Sequence, residues 1–122
     1  MTLALVVGVA GAAGAVARYL CDGAVQDRTA GLFPFGTLAV NVAGSLILGF
    51  LAGYTLSHTD GRTARTVLGT GFCGALTTWS TASWETVRLA EEGATTTAVT
   101  FTLVNLATSV CAAAVGIVLL AG

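Results

Sequence analysis

The sequence has very little charge and no lysine. Charged residues make up 9% of its 122 residues, and its five basic residues are all arginine. A soluble domain usually carries about 25% charged residues. Hydrophobic residues reach 55%, more than a soluble surface of this size can hide. These shortages exclude a soluble domain and a basic surface for nucleic acid, and they indicate that the lipid bilayer surrounds the chain.

Cysteine is also scarce, and no catalytic group is visible. Cys21, Cys73 and Cys111 form an odd set without paired spacing, which argues against a disulfide framework or a zinc site. Cys73 and Cys111 lie in apolar segments and are expected to be small packing residues. No nucleophile–base pair is present, so an enzyme is not expected.

Uncharged segments dominate what remains. A membrane-spanning helix needs about 20 mostly apolar residues, and backbone groups in lipid must be bonded within the helix. The sequence therefore predicts one domain over residues 1–122, an all-α, multi-pass protein of the cell (plasma) membrane. Its four predicted transmembrane helices cover about residues 3–20, 36–56, 67–87 and 94–121.

The arginines do not favour one orientation. With four spans, Arg18, Arg28 and Arg88 fall on one side of the membrane, and Arg62 and Arg65 fall on the other. Orientation normally follows an excess of Lys and Arg on the inner side. A chain without that excess is expected to insert either way up, or to be held by a partner.

Small and polar residues recur inside the predicted helices. Gly49 and Gly53 form a small-xxx-small pair that lets helix backbones approach closely, as do Gly8, Gly11 and Gly14. Because four short helices enclose little interior, oligomerisation is the expected way to build a pathway.

The second predicted helix places Thr37, Asn41 and Ser45 in one row at i, i+4 and i+8. Asn41 is costly in the membrane without a partner. It is expected either to bond a neighbouring helix or to line a pathway. In the fourth helix, Asn105 and Ser109 share a face with Thr102, again for packing or for conduction.

The third predicted helix is the most unusual. Five hydroxyl residues crowd its middle: Thr77, Thr78, Ser80, Thr81 and Ser83. Hydroxyl side chains bond back to helix carbonyls, and with the glycines upstream they favour a local break. A broken helix exposes carbonyls to cations and N–H groups to anions. The alternative is ordinary packing through small residues.

Titratable groups are missing from the middle of every predicted helix. Glu85 lies near one end, and proton-coupled transporters usually need a central carboxylate. Hydroxyls and amides therefore favour passive conduction, although they suit either sign of ion. Arg18 is either an interfacial anchor or a positive charge at a vestibule.

Three ordered segments resemble the Fluc/CrcB fluoride channels over nearly the whole chain. They read GAAGAVARY (Gly11–Tyr19), FGTLAVNVAGS (Phe35–Ser45) and GFCGALTTWSTASWE (Gly71–Glu85). The resemblance implies an antiparallel, dual-topology dimer with two fluoride pores. It also implies a structural Na⁺ on the dimer axis, held by the backbone carbonyls of Gly74 and Thr77.

The same resemblance assigns the fluoride pathway to six residues, with Arg18 at the vestibule. These are Asn41, Trp79, Ser80, Thr81, Asn105 and Ser109. Fluoride is a small, strongly hydrated anion, so amide, hydroxyl and aromatic-edge donors must replace its water.

Three positions depart from the family pattern. Trp79 and Ala82 stand where the family has pore phenylalanines, and Ala75 replaces a glycine of the helix-break motif. The lost ring favours one half of a heterodimer, while the balanced arginines favour a homodimer. The competing functions are a small dual-topology multidrug transporter, which would need a carboxylate in the first helix, and a non-conducting partner subunit.

Overall fold

The computed structural model describes residues 1–121, which contain helices and no strand. Within that range three helices are long and apolar enough to cross a bilayer. They are α1 (Thr2–Arg28), α2 (Phe35–Ser57) and α5 (Thr95–Ala121). The expectation of an all-helical membrane protein is confirmed at this level.

The first helix extends beyond the first predicted span. α1 continues past residue 20 to Arg28 and includes Asp22 and Asp27. Charge ends the apolar stretch, but it does not break a helix. The chain turns only further on, where Gly31 adopts a positive φ of 99°. Pro34 then precedes the first residue of α2.

The third predicted span, residues 67–87, is two helices rather than one. A 3₁₀ turn (Thr59–Gly61) leads into α3, which covers residues 62–76 and is π-helical over Arg65–Cys73. After residues 77–79, α4 runs over Ser80–Glu91. The predicted break near the middle is therefore present.

Glycines bring α2 and α5 into backbone contact. A methyl group at Gly49 would overlap the Ala113 carbonyl, and one at Gly53 would overlap the Ile117 carbonyl. Gly116 of α5 faces α2 in the same way, with the Leu46 carbonyl 2.6 Å from an added Cβ. The predicted small-xxx-small pair at Gly49 and Gly53 thus forms a helix interface inside the subunit.

α1 and α3 also pack through glycines that lie against the backbone of the neighbouring helix. Gly14 lies directly against the backbone carbonyl of Phe72, and Gly71 lies against the carbonyl of Val7. Within α3 the N–H of Gly74 reaches back five residues to the Gly69 carbonyl, as a π-helix requires. Gly8 was expected to share this role, yet a side chain there would meet nothing within 4 Å.

The interior is small, and its buried side chains come from α2, α3, α4 and α5. Phe101 and Leu89 are completely buried, and the Phe33 ring meets Phe101 edge to face at 5.6 Å. Cys73 is buried, as expected of a packing residue, whereas Cys111 is exposed. Most other large apolar side chains face outward, as lipid or a partner subunit would require.

Candidate functional site

The centre of the candidate site is the break between α3 and α4. Thr77 leaves the helix in an extended conformation, with φ −78° and ψ 157°. Helical geometry resumes around Trp79, which precedes the first residue of α4. The described region around this break contains no charged side chain before Glu85. Its electrostatics therefore depend on peptide dipoles.

Asn41 of α2 fills the gap in the broken helix. Its side-chain oxygen accepts from the Thr78 backbone N–H at 2.7 Å, and its NH₂ group donates to the Thr78 carbonyl at 3.1 Å. A second N–H of that NH₂ group donates to the side-chain oxygen of Asn105 at 3.1 Å. The buried amide of Asn41 thus replaces two backbone partners that Thr78 would have in a continuous helix.

The Thr78 hydroxyl begins the next helix. It accepts the backbone N–H of Thr81 at 3.1 Å, and it donates to the Thr81 hydroxyl at 3.0 Å. The Ser80 hydroxyl lies 3.4 Å from the same oxygen. This is the bonding of a helix N-cap, and it explains why α4 can begin here without a glycine or proline.

These two side-chain hydrogen bonds leave two backbone carbonyls without their helical N–H partners. In a continuous helix Thr78 N–H would donate to Gly74, and Thr81 N–H would donate to Thr77. Both N–H groups bond side-chain oxygens instead, those of Asn41 and Thr78. Gly74 is an exposed residue, and Thr77 is half-buried. Carbonyl oxygens are the ligands that hard cations prefer, so the two predicted residues fit a Na⁺ site.

A cavity of about 530 Å³ lies beside the break. Of the predicted pathway residues, Asn41, Trp79, Asn105 and Ser109 line it, whereas Ser80, Thr81 and Arg18 do not. Ser80 and Thr81 belong to the cap of α4. Further polar residues on its walls were not assigned to the pathway beforehand: Ser45, Thr77, Thr78, Ser83, Thr86 and Thr102.

Helix periodicity could have found some of these residues. Ala82 and Thr86 are four residues apart on α4, so they lie on the same face of that helix. The Thr86 hydroxyl also lies 3.1 Å from that of Thr102 on α5. No local signal predicts Thr78 as the partner of Asn41, because 37 residues separate them.

Two donors on α5 remain available to a bound anion. Asn105 uses its side-chain oxygen to accept from Asn41, which leaves its own NH₂ group free to donate. The Ser109 hydroxyl is buried and has no hydrogen-bond partner within residues 1–121. A buried unpaired hydroxyl is uncommon and costs free energy, so it calls for a functional explanation.

The positions that replace the family's phenylalanines differ sharply. The Trp79 ring is 79% exposed and points out of the subunit, while Ala82 is buried in the cavity wall. Arg18 is half-buried on α1, ten residues before that helix ends at Arg28. It is therefore not at the end of its helix, as the shorter predicted span had placed it.

Comparison with known proteins identifies relatives of this chain. The family described as CrcB-like protein, Camphor Resistance (CrcB), matches residues 5–117. A Streptomyces avermitilis protein named "Fluoride-specific ion channel FluC 1" is 44% identical over 110 residues, or 89% of each chain. A Mycobacterium bovis protein named "Fluoride-specific ion channel FluC 2" is 42% identical over 118 residues, covering 95% of this chain and 90% of the relative.

A third relative is more similar over a shorter range. The Leifsonia xyli subsp. xyli protein named "Fluoride-specific ion channel FluC 1" is 49% identical over 88 residues, covering 72% of this chain. The aligned part spans 64% of that relative's length. With the family match over residues 5–117, these identities confirm the resemblance found in the sequence, and the chain belongs to the CrcB family.

Proposed function

We propose that this chain is a subunit of a fluoride-selective channel, through which cytoplasmic fluoride leaves the cell and its toxicity is reduced. The observation that carries the proposal is the unpaired, buried Ser109 hydroxyl beside the free NH₂ group of Asn105 in one cavity. Both can donate to an anion that has lost its water. Relatives named fluoride-specific ion channels, at 42–49% identity, support the choice of anion.

The proposed pathway runs along the cavity between α2, α4 and α5. Asn105 and Ser109 donate to the ion, and Trp79 offers a ring edge and an indole N–H at the subunit surface. The hydroxyls of Ser80 and Thr81 lie at the N-terminal end of α4, where helix dipoles favour negative charge. Asn41 acts here mainly by holding the break, and Arg18 supplies positive charge at the vestibule.

The working unit is proposed to be an antiparallel, dual-topology dimer in the plasma membrane. A cavity at the surface of one subunit becomes an enclosed pore when a second subunit covers it. The near balance of arginines between the two sides suits insertion in both orientations. The partner is either a second copy of this chain or an unlike family member, and Ala82, without a ring, favours the unlike member.

A structural Na⁺ is proposed at the dimer axis. The carbonyls of Gly74 and Thr77 would hold it, because the break has freed them from helical N–H partners. When bound, Na⁺ would neutralise the partial negative charge of these carbonyls. Asn41 keeps the Gly74 carbonyl available by occupying the N–H group of Thr78, and the Thr78 hydroxyl does the same for the Thr77 carbonyl by occupying the N–H group of Thr81.

A multidrug transporter is the weaker alternative. Such a mechanism needs a membrane-embedded carboxylate in α1, and α1 does include Asp22. However, the Asp22 carboxylate lies against Gly36, in the first turn of α2. This position is at the end of the predicted span rather than near its centre.

Fluoride efflux from liposomes that contain the purified chain tests the proposal. A fluoride electrode should record rapid efflux without chloride leakage if the chain forms a conducting homodimer. A chain that shows no fluoride efflux alone, but conducts fluoride when it is co-purified with an unlike family member, would be a heterodimer subunit. The absence of fluoride efflux in every combination would refute the channel proposal and leave a non-conducting subunit. Proton-coupled drug efflux would instead support the multidrug transporter.

A further inference from the structure

A second polar cavity lies at the opposite end of α2 from the α1–α2 turn. It has a volume of about 480 Å³ and is bounded by the end of α2 and the start of α3. Its lining residues are all arginine or threonine: Thr55, Arg62, Arg65, Thr66 and Thr70. It does not share a residue with the cavity beside the helix break.

Gly61 brings the two arginines to this position. It is buried against α2, and an added Cβ would lie 2.8 Å from the Tyr54 ring and 3.0 Å from the Thr55 methyl group. A side chain at residue 61 would require a shift of the 3₁₀ turn or of the Tyr54 and Thr55 side chains. The close approach lets Arg65 donate from Nη1 to the Thr55 hydroxyl at 3.4 Å.

The charge of the cavity is not neutralised. No carboxylate lines it, and the single ion pair among residues 1–121 is Arg88–Glu92 at 3.9 Å, elsewhere in the chain. Each guanidinium carries five N–H donors in a planar fork. Only the bond from Arg65 to Thr55 uses one of them within the cavity. The site is therefore rich in unused donors and cationic.

The location indicates the kind of anion. The cavity lies where the apolar part of α2 ends, beside the exposed Leu56 and the stacked pair of Tyr54 and His58, whose rings are 4.4 Å apart. Tyrosines are enriched at the level of lipid headgroups. The volume far exceeds that of a fluoride ion and is large enough for a phosphate group with its attached glycerol. Paired guanidinium groups bind phosphate oxygens in a bidentate manner.

We propose that this cavity binds a phosphate group, with Arg62 and Arg65 as its charged ligands and the Thr70 hydroxyl as a neutral one, since the hydroxyls of Thr55 and Thr66 donate to carbonyls of their own helices. The source favoured by the position at the membrane boundary is an anionic phospholipid. This inference does not depend on fluoride conduction, because neither arginine lies in the proposed pathway.

Native mass spectrometry tests the site directly. The chain is purified in micelles that contain equal amounts of phosphatidylglycerol and phosphatidylcholine, and the ratio of the two retained lipids is measured. Loss of both charges in R62Q/R65Q should lower the preference for phosphatidylglycerol about thirtyfold. The matched control R28Q/R88Q removes two arginines outside this cavity and should keep the preference.

A second variant separates geometry from charge. G61A keeps both arginines but shifts the turn that carries them or the Tyr54 and Thr55 side chains against it, so it should also lose most of the preference. Circular dichroism and size-exclusion chromatography establish that each variant is folded. Free phosphate identifies the source: if millimolar inorganic phosphate displaces the retained phosphatidylglycerol completely, the site takes free phosphate, and if it does not, the ligand is the lipid.

Equal retention of phosphatidylglycerol by the wild-type chain and by folded R62Q/R65Q would overturn the proposal. An equal loss in R62Q/R65Q and R28Q/R88Q would also overturn it, because the effect would then reflect total charge rather than this cavity.

Discussion

Substitution of Asn41 by alanine should destabilise this protein strongly. The change removes the acceptor of the Thr78 N–H and the donor to the Thr78 carbonyl. Both groups are buried beside the break, and each buried polar group left unpaired costs about 1–3 kcal/mol. The expected loss of unfolding free energy is therefore about 2–6 kcal/mol.

The matched control lies one turn along the same helix face. Ser45 also lines the cavity, yet no hydrogen bond of its side chain to another described residue is present, so S45A should cost less than about 1 kcal/mol. The assay is chemical unfolding in mixed micelles, followed by circular dichroism. If N41A unfolds at the same denaturant concentration as S45A, Asn41 does not support the break, and our account of the freed carbonyls is wrong.

Three further predictions concern the glycine interface and the cavity. G49A should lower the free energy of unfolding by about 1–3 kcal/mol, because its methyl group meets the α5 backbone. G8A is the control, because a methyl group at residue 8 lies in open space and should not destabilise the protein. The denaturant midpoints of the two variants are compared, and equal midpoints would contradict the glycine interface. S109A should raise the free energy of unfolding by about 1–3 kcal/mol, because it removes an unpaired buried hydroxyl. The same variant should lower fluoride efflux from liposomes, and unchanged efflux would exclude Ser109 from the pathway. A82F should increase fluoride efflux through the chain purified alone, because it restores the aromatic ring that Ala82 lacks. A decrease in efflux would show that the buried position of residue 82 cannot hold a ring.

Helix limits were predicted well where apolar composition decides them. The second predicted span, residues 36–56, differs by one residue at each end from Phe35–Ser57, and residues 94–121 are close to Thr95–Ala121. α1 was underestimated, because the sequence shows where charge begins and not where the backbone stops being helical. α3 and α4 were predicted as one span with a break near its middle, because glycine and hydroxyl residues mark the break while the apolar stretch continues across it.

The role of Asn41 shows what could not be predicted about the site from the sequence. Two roles were open from the sequence, helix bonding or pathway lining, and the structure places Asn41 in the cavity wall with both N–H donors bonded. The donors that remain on α5 belong to Asn105 and Ser109. Such an assignment needs all three helices, because the orientation of one amide decides which groups of its neighbours remain unpaired.

The sequence by itself determined the solvent, the helical class and the family of this protein. Scarce charge and long apolar segments leave the bilayer as the only medium, and backbone bonding in lipid then requires helices. Three ordered motifs were sufficient to identify the family. Tertiary structure alone decided which carbonyls lose their partners, that the Ser109 hydroxyl is left unpaired and that Arg65 lies beside Thr55 in one cavity. These properties depend on contacts of a few ångströms between distant residues, and helical periodicity cannot encode them.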